Sequence, residues 1–503
     1  MKPMGTITKY YPFIDEETRS ILDSIMEDSS SYYDFVQSLC HVVLESDVPT
    51  NLAYIAAVQA WWCRLEDEMG RINQKFKDIL HIVPWGNIHA SLERDQIRFH
   101  DAVVKAIEQL VEESTGDWVL TELHLLHAHF HWPAFGDIPS QLEPVRKVRE
   151  LIIVNPLLEC FEAQACFYEG WAKRIEGEIE DAIAIYQNGI ELAEAHDESL
   201  HMYLNLGGQA DALKSVSIKK AIARFEESYQ LTLDLEVPYL EGEVLHDSGL
   251  VFEIAGEYDL ALSSYQESGK AYQFDGFLHY QYAPISRIYV TLGDGEKALK
   301  MVNLVLEDYE VSGIQFPYLA KASALALLNR IDEAEVNLEE AHKLVIKSGL
   351  DRQLGRYYLT AGLVEFVKGE YLSSMDWYEK AWEIFERVGQ VYGEQNLALI
   401  GLTRAEILLD SQTSDVKKTI TPGRWLSKLE KYATERDLPG VRMQAASLKS
   451  EFYQNHDQLI DAKAVLQDAL NITDSQGVAS LRKRILDRID AIDSLLQGLE
   501  TQS

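Results

Sequence analysis

The residues with the clearest capacity for chemistry are the histidines of one short segment, HLLHAHFH. On a helix, His124, His127 and His131 would share one face, because residues three, four and seven apart lie on the same side. Imidazole nitrogens are common zinc ligands, so these three side chains form a candidate metal site. A closed zinc site needs a fourth ligand, and no HExxH motif accompanies the segment. A pH-sensitive or peptide-contacting face, and ordinary histidines at a helix end, are the alternatives.

The cysteines indicate packing rather than catalysis. Cys40, Cys63, Cys160 and Cys166 are too few for a disulfide framework in 503 residues, and no CxxC pair occurs. Cys160 and Cys166 lie in apolar helical patterns, which favours core packing over a nucleophilic role. The sequence also has no phosphate-binding loop, no dinucleotide fingerprint and no GxSxG elbow. We therefore expect no enzymatic activity, no cofactor, and a cytoplasmic chain with reduced thiols.

The charge balance restricts the class of partner. The chain carries 46 basic and 81 acidic side chains, a net charge of −35, with 47% hydrophobic residues. This excess of acid argues against duplex nucleic acid and against anionic membrane surfaces. No apolar run approaches the ~20 residues that cross a bilayer. The chain can bury a large core, and its partner is expected to be a basic or amphipathic protein or peptide.

The elements that must position these residues are revealed by an internal repeat. Its clearest unit contains Gly170, Gly177, Ala182, Tyr186 and Gly189, separated by 7, 5, 4 and 3 residues. The same offsets recur in five later units, which begin at Gly249, Ser286, Ala322, Gly362 and Ser450. Six units that share four offsets indicate a repeat architecture.

The offsets have a direct physical reading as two helices, A and B, joined by a tight turn. A small residue in helix A lets helix B approach closely, and glycine at the turn tolerates a positive φ. The alanine, aromatic and small residues of helix B then lie on one face, because their spacings are four and three. A single hairpin cannot bury that face, so neighbouring hairpins must stack on each other. The predicted turn glycines are Gly177, Gly256, Gly293 and Gly369.

Three segments carry this pattern most closely, namely GWAKRIEGEIEDAIAIYQNGIELA, SGLVFEIAGEYDLALSSYQESGKAY and AGLVEFVKGEYLSSMDWYEKAWEIF. They resemble the tetratricopeptide repeat family. The resemblance implies an all-α, right-handed superhelical solenoid of antiparallel helix pairs. Equivalent helix B residues from Ala182 to Ser374 are 39, 40, 37, 36 and 40 residues apart, whereas the usual unit has 34. Such long units are similar to the kinesin-light-chain and maltose-regulator types.

The predicted domains follow from where the repeat holds. Residues 157–476 form the array, with one degenerate unit made of a helix at about 391–409 and a helix at about 424–436. The polar segment 411–423 between them is predicted to be a loop. Residues 477–503 are predicted to form a capping helix and tail, with a coiled-coil dimerisation helix as the alternative.

The N-terminal region, residues 1–156, is helical by pattern but poorly periodic. We expect degenerate helical repeats that continue the array, with a distinct all-α domain as the alternative. A hairpin is predicted at 117–156, turning at Gly136–Asp137, and further hairpins at 50–82 and 87–115. The aromatic residues at 10, 11 and 13 are expected to pack as a lead-in against the first hairpin.

The family uses the concave side of its superhelix, lined by helix A, to bind partners. The resemblance therefore implies a groove that takes an extended or helical peptide. The lysine and asparagine side chains with which some members bind acidic chaperone tails are missing at these positions. The residues that fall on the face by register are Phe167, Trp171, Arg174, His201, Glu243, His246, Glu253, Tyr280, Arg287, Arg356 and Phe366.

These observations predict a non-enzymatic scaffold or adaptor that binds a protein along its concave face. One alternative is a regulatory sensor array, in which a ligand or peptide switches a separate effector. Another is a metal-dependent enzyme built on the segment from His124 to His131. The sequence does not name the partner, and a monomer is the default expectation for the oligomeric state.

Overall fold

The computed structural model of the chain is described for the following residues: 7–45, 52, 55–56, 59, 116–130, 138–235, 237–271, 275–308, 315–389, 392–413 and 423–500. Within them the regular secondary structure is helical, with 21 α-helices, two short 3₁₀ helices and no strand. The chain divides into two compact units, Met1–Val244 and Leu245–Ser503. No helix of the described part is long and apolar enough to cross a membrane.

The first unit consists of helical hairpins preceded by two further helices. From α3 to α20, odd-numbered helices are the helix A and even-numbered helices the helix B of each hairpin. The helices are α1 (Glu16–Asp28), α2 (Tyr32–Glu45), α3 (Asp117–Phe130), α4 (Ile138–Val154), α5 (Glu162–Glu176), α6 (Ile179–Ala195), α7 (Ser199–Leu213) and α8 (Ile218–Leu235).

The hairpin predicted at 117–156 is confirmed, because α3 and α4 pack against each other with Val145 and Val148 buried in α4. Its predicted turn at Gly136–Asp137 lies outside the described residues. The hairpin predicted at 87–115 lies outside them as well, as does nearly all of the one at 50–82. Those two hairpins stay predictions.

The second unit continues the same alternation, and its first helix begins before the division between the units. The helices are α9 (Pro238–Ala255), α10 (Tyr258–Ala271), α11 (Asp275–Thr291), α12 (Gly295–Asp308), α13 (Phe316–Leu327), α14 (Ile331–Ser348), α15 (Asp351–Lys368), α16 (Tyr371–Val388), α17 (Tyr392–Thr413), α18 (Arg424–Glu435), α19 (Pro439–Asn455), α20 (Leu459–Ala469) and α21 (Ala479–Glu500).

The degenerate unit of the array is present as α17 and α18. Helix α17 runs to Thr413, so the first three residues of the predicted loop at 411–423 are helical instead. Gly423 is the N-cap of α18, and residues 414–422 lie outside the described part. The predicted boundaries at 156 and 476 do not coincide with the division between the units, and they stay predictions.

The turns between helix A and helix B have the predicted left-handed geometry. Gly177 and Gly369 have φ angles of 86° and 85°, and Gly256 and Gly293 have 76° and 80°. After Gly177, the Glu178 N–H donates back to the Lys173 carbonyl at 3.0 Å, which closes the end of helix A. Where other hairpins lack glycine, a short polar side chain takes the same conformation, as at Asn329 (58°) and Asp457 (59°).

The predicted close approach of the two helices is also confirmed. An added Cβ at Gly170 would lie 2.9 Å from the Tyr186 ring, and one at Gly362 would lie 2.8 Å from the Tyr378 ring. Gly249 has the same relation to Tyr265, at 2.7 Å. Each glycine thus provides the space into which the helix B tyrosine packs. The fold class is therefore all-α, with antiparallel helical hairpins stacked within each unit.

The last helix covers the apolar side of the final hairpin. Ile485 and Ile492 of α21 are buried in one cluster with Met443 of α19 and Leu466 of α20. This packing is that of a capping helix, because α21 buries the apolar side chains of α19 and α20.

Candidate functional site

The residues predicted to bind a partner lie on helices A, and in the second unit two of them meet as an ion pair. Glu253 of α9 accepts hydrogen bonds from Nε and Nη2 of Arg287 in α11, at 2.6 and 2.7 Å. The Tyr265 hydroxyl donates to the same carboxylate at 3.1 Å. This bidentate geometry is the strong form of a charge-assisted contact. Glu253 and Arg287, which the register predicted as separate contact residues, therefore form one ion pair.

A second ion pair lies nearby and joins two more helices A. Glu394 of α17 accepts hydrogen bonds from Arg356, with Nε at 3.0 Å, and from Arg352, with Nη2 at 2.8 Å. Burial raises the pKa of Glu394, but the Arg356 and Arg352 guanidinium groups outweigh it and hold that pKa far below its usual range. Arg287 acts on Glu394 in the same direction, which places the two ion pairs close together.

We call these five residues, Glu253, Arg287, Arg352, Arg356 and Glu394, the charge ladder. The sequence analysis found three of them and missed Arg352 and Glu394. Register assigns a residue to a helix face, but it does not reveal which side chains reach across to each other. The sequence signal that could have revealed this pair was Glu394 near the start of α17 together with Arg352 and Arg356 near the start of α15.

In the second unit, the turn between α9 and α10 also meets the start of α19 backbone to backbone. An added Cβ at Gly440 would lie 2.1 Å from the Gly256 carbonyl oxygen, so only glycine fits there. The Asn396 side chain donates to the Ile254 carbonyl at 2.8 Å, and Gln444 donates to the Tyr258 hydroxyl at 3.2 Å. No open groove therefore separates the end of α9 from α17 and α19.

In the first unit, the N-terminal segment lies against the helices A. The Lys9 ammonium is 3.3 Å from the Glu122 carboxylate of α3 and stands 4.7 Å above the Phe161 ring. The Tyr10 hydroxyl donates to Glu122 at 3.0 Å, and the Tyr10 ring meets Trp118 edge to face at 5.4 Å. The first aromatic residues therefore pack against the hairpin of α3 and α4, whereas the first predicted hairpin, at 50–82, lies almost entirely outside the described residues, so packing against it stays a prediction.

Two more titratable residues are buried beside Lys9. His201 of α7 lies with its Nδ1 3.0 Å from the Glu198 carboxylate, and neither side chain is exposed. Burial lowers the pKa of His201, and the Lys9 charge lowers it further. Burial also lowers the pKa of Lys9, but Glu122 and Glu198 raise it more, so Lys9 is charged. His201 is therefore an interior residue in this structure.

The other predicted contacts of the first unit are mostly packed. Phe167 and Trp171 of α5 are 8% and 5% exposed. Arg174 lies 4.0 Å from the Asp211 carboxylate, and Glu243 lies 3.5 Å from the Tyr203 hydroxyl. These predicted contact residues are therefore packed or paired side chains in this structure.

Three further predicted residues belong to the second unit. His246 lies with Nδ1 2.9 Å from the Gln281 amide oxygen, and its ring is 5.3 Å from Tyr265. Phe366 is half-buried and packs against Tyr371 at 5.6 Å. Tyr280 lies in α11, and its side chain is outside the described part.

The histidine segment does not assemble a metal site in the part of the chain that is described. His124 is buried, and its pKa is lowered to about 4 by burial and by the Lys147 charge. Helix α3 ends at Phe130, and His131 lies outside the description. No group of three or more potential ligands suited to a metal ion occurs among the described residues. A nearby lysine ammonium is also an unfavourable neighbour for a second cation.

The cysteines are core residues, as expected. Cys160 and Cys166 are buried, and burial raises the pKa of each thiol to about 12. Both are therefore protonated at neutral pH and are poor nucleophiles. Cys63 lies outside the described residues.

No protein-family model matches the chain, and no curated protein matches it. A solved Rap protein complexed with Competence and Sporulation Factor is 16% identical, has a TM-score of 0.40, and aligns over 67% of this chain and 99% of its own. A tetratricopeptide repeat protein from Parabacteroides merdae is 17% identical, with a TM-score of 0.32, over 56% of this chain and 98% of its own. Yeast Tom70 is 13% identical, with a TM-score of 0.35, over 84% and 94%. Because all three TM-scores lie below 0.5, these likenesses say nothing about the partner of this chain.

Proposed function

We propose that this protein is a non-enzymatic scaffold or adaptor that binds a partner protein through its helices A. The charge ladder carries the proposal, because it joins side chains of α9, α11, α15 and α17 and leaves Arg352 and Arg287 46% and 35% exposed. Successive hairpins that present one face together can read an extended segment of a partner. We also propose a reducing, cytoplasmic location, which the free and buried cysteines at 40, 160 and 166 support.

The partner is proposed to be basic or amphipathic. The net charge of −35 attracts a basic chain over a long range and speeds its encounter. The charge ladder itself holds three arginines and two carboxylates, which favours an amphipathic segment with charges of both signs at the point of contact. Arginine is among the residue types enriched at the centres of protein interfaces.

The test is affinity capture from native extract with two matched pairs of substitutions. Arg352→Ala with Arg404→Ala removes two exposed cations from helices A, and Glu394 keeps Arg356. Lys270→Ala with Lys297→Ala removes two exposed cations from helices B. We expect one protein to be captured by the wild type and by the helix B variant, and to be lost from the helix A variant.

If both variants lose the captured protein equally, binding depends on net charge alone. If the helix A variant still captures it, the binding surface lies elsewhere. The thermal midpoint of each variant serves as the folding control, because exposed substitutions of this kind change stability by no more than about 0.5 kcal/mol.

A further inference from the structure

Four aromatic residues of the second unit form a partly exposed cluster on three successive helices. His342 of α14 stacks on Tyr357 of α15 at 4.7 Å. Trp377 of α16 meets Tyr357 edge to face at 6.3 Å and lies tilted against Tyr358 at 5.3 Å. His342 is exposed, and the other three rings are half-buried. We call these four residues the aromatic surface.

The polar atoms of the aromatic surface are not used for internal contacts. Within the described part of the chain, neither the Tyr357 hydroxyl nor the Tyr358 hydroxyl makes a hydrogen bond, and the Trp377 indole N–H makes none either. The core tyrosine Tyr265 differs in this respect, since its hydroxyl is buried and donates to Glu253. A packed core tyrosine normally finds such a partner, whereas tyrosine and tryptophan at interfaces keep a polar edge in water.

The chain itself shows which group the rings accept. The Lys380 ammonium stands 4.3 Å above the Trp377 ring, and Lys380 is exposed. A cation over an aromatic face within ~6 Å is attracted by the negative potential of the ring. Lys380 therefore occupies the position that a cationic side chain of another molecule would take.

The charge around the rings favours the same kind of ligand. Helices α14 and α16, which flank the cluster, together carry nine carboxylates against four lysines and arginines. Glu339, one turn before His342, is 73% exposed. Exposed Ile346, one turn after His342, adds apolar area on the other side. The surface therefore combines aromatic faces, an apolar edge and negative potential.

We propose that the aromatic surface binds a basic segment of a protein partner, with a lysine or arginine side chain lying on the Tyr357 and Trp377 rings. This site lies outside the charge ladder and goes beyond the function proposed above. A partner that binds to the helices A would also bind at this second site. The two sites can be tested separately.

The experiment measures the binding of short labelled peptides to the full chain by fluorescence anisotropy. The probe is a peptide in which lysine and arginine alternate with glycine, and its control has glutamine in place of every cation. We expect the basic peptide to bind and the glutamine peptide not to bind. Equal binding of both would overturn the proposal, because the surface would then read shape or apolar area rather than charge.

The decisive variant is Tyr357→Leu combined with Trp377→Leu, which keeps apolar volume and removes both π faces. We expect the affinity for the basic peptide to fall about fivefold, since each exposed cation–π contact contributes about half a kcal/mol. Tyr289→Leu is the matched control, because Lys297 stands over the Tyr289 ring at 5.4 Å outside the aromatic surface. Its affinity should match that of the wild type.

A double variant that keeps full affinity, or a control that loses as much, would overturn the proposal, because attraction would then come from net charge alone. Lys380→Ala gives an independent reading that does not alter the rings. We expect this variant to bind the basic peptide more tightly, since a competing cation has been removed. An affinity that stays the same or falls counts against competition for the Trp377 face.

Discussion

At the residue scale, the most informative side chain is Lys9, a buried cation whose partners the sequence pattern does not indicate. Its contact with Glu122 joins residues 113 positions apart in a region without clear periodicity. Sequence spacing identifies which residues share a helix face. It does not indicate that a segment folds back and packs against a helix that is distant in the sequence. The same reason explains why His201 was predicted at a binding surface and is found in the interior.

We predict that Lys9→Met lowers the free energy of unfolding by about 3–5 kcal/mol, because it leaves the Glu122 carboxylate buried without a cation. Adding Glu122→Gln should recover part of that loss, since the amide is neutral and still accepts from Tyr10. Lys343→Met, at an exposed ion pair, should lower the free energy of unfolding far less than Lys9→Met does, because solvent screens that pair. Urea unfolding of the four proteins measures these differences, and equal effects at Lys9 and Lys343 would contradict the buried pair.

His124 gives a prediction about pH. Its pKa in the folded chain is about 4, below the 6.5 of an ordinary histidine, because of burial and the Lys147 charge. Between these values the unfolded state binds a proton that the folded state does not, so stability falls as the pH drops from 6.5 towards 4. The loss amounts to roughly 1.4 kcal/mol for each pH unit within this window.

His124→Asn removes this proton uptake, and its stability should therefore depend less on pH in that window than that of the wild type. Urea unfolding at a series of pH values provides the comparison. Parallel curves for the two proteins would show that His124 is exposed to solvent in the folded state.

At the scale of the elements, the spacing of small and aromatic residues predicted the hairpin geometry well. Each turn and each glycine–tyrosine contact joins residues that are close in the sequence. Spacings of seven, five and four residues therefore determine which side chains meet. Helix α17 illustrates the limit. Its last turn extends to Thr413 although composition predicted a loop from 411, because polar residues are compatible with an exposed helix end.

Two adjacent glycines of α7 allow a sharp test of the packing argument. An added Cβ at Gly208 would lie 2.4 Å from the Tyr186 ring, whereas one at Gly207 meets nothing within 4 Å. We predict that Gly208→Ala lowers the free energy of unfolding by about 1–3 kcal/mol through overpacking. Gly207→Ala should raise it by about 0.5–1 kcal/mol, as alanine does inside a helix. Similar effects at both positions would refute the tyrosine contact.

The turn residues that are not glycine offer another prediction. Asn329 has a φ of 58°. This conformation is sterically unfavourable for a residue with a Cβ and is not unfavourable for glycine. Asn329→Gly should therefore stabilise the chain by up to about 1 kcal/mol, and Gly369→Ala should destabilise it by about the same amount. Thermal unfolding of both variants is the measurement. The opposite signs would show that these two turns do not share one geometry.

At the scale of the whole molecule, the net charge of −35 predicts how fast a partner associates and says nothing about the fold. A partner with a basic surface should associate faster at low salt, while its dissociation rate changes little, because screening acts on the encounter. Stopped-flow association at several salt concentrations measures this dependence. An association rate that is insensitive to salt would rule out long-range steering by the acidic surface.

The central claim is that a partner protein is bound by the helices A, and site-specific photocrosslinking tests it most directly. A photoreactive phenylalanine derivative at position 352 replaces one cation of the charge ladder on a helix A and leaves its other four residues and Arg404 in place, whereas one at position 297 lies at an exposed position of a helix B. The account predicts that the same partner protein is crosslinked from position 352 and not from position 297. Crosslinks from position 297 alone, or no partner from either position, would contradict it.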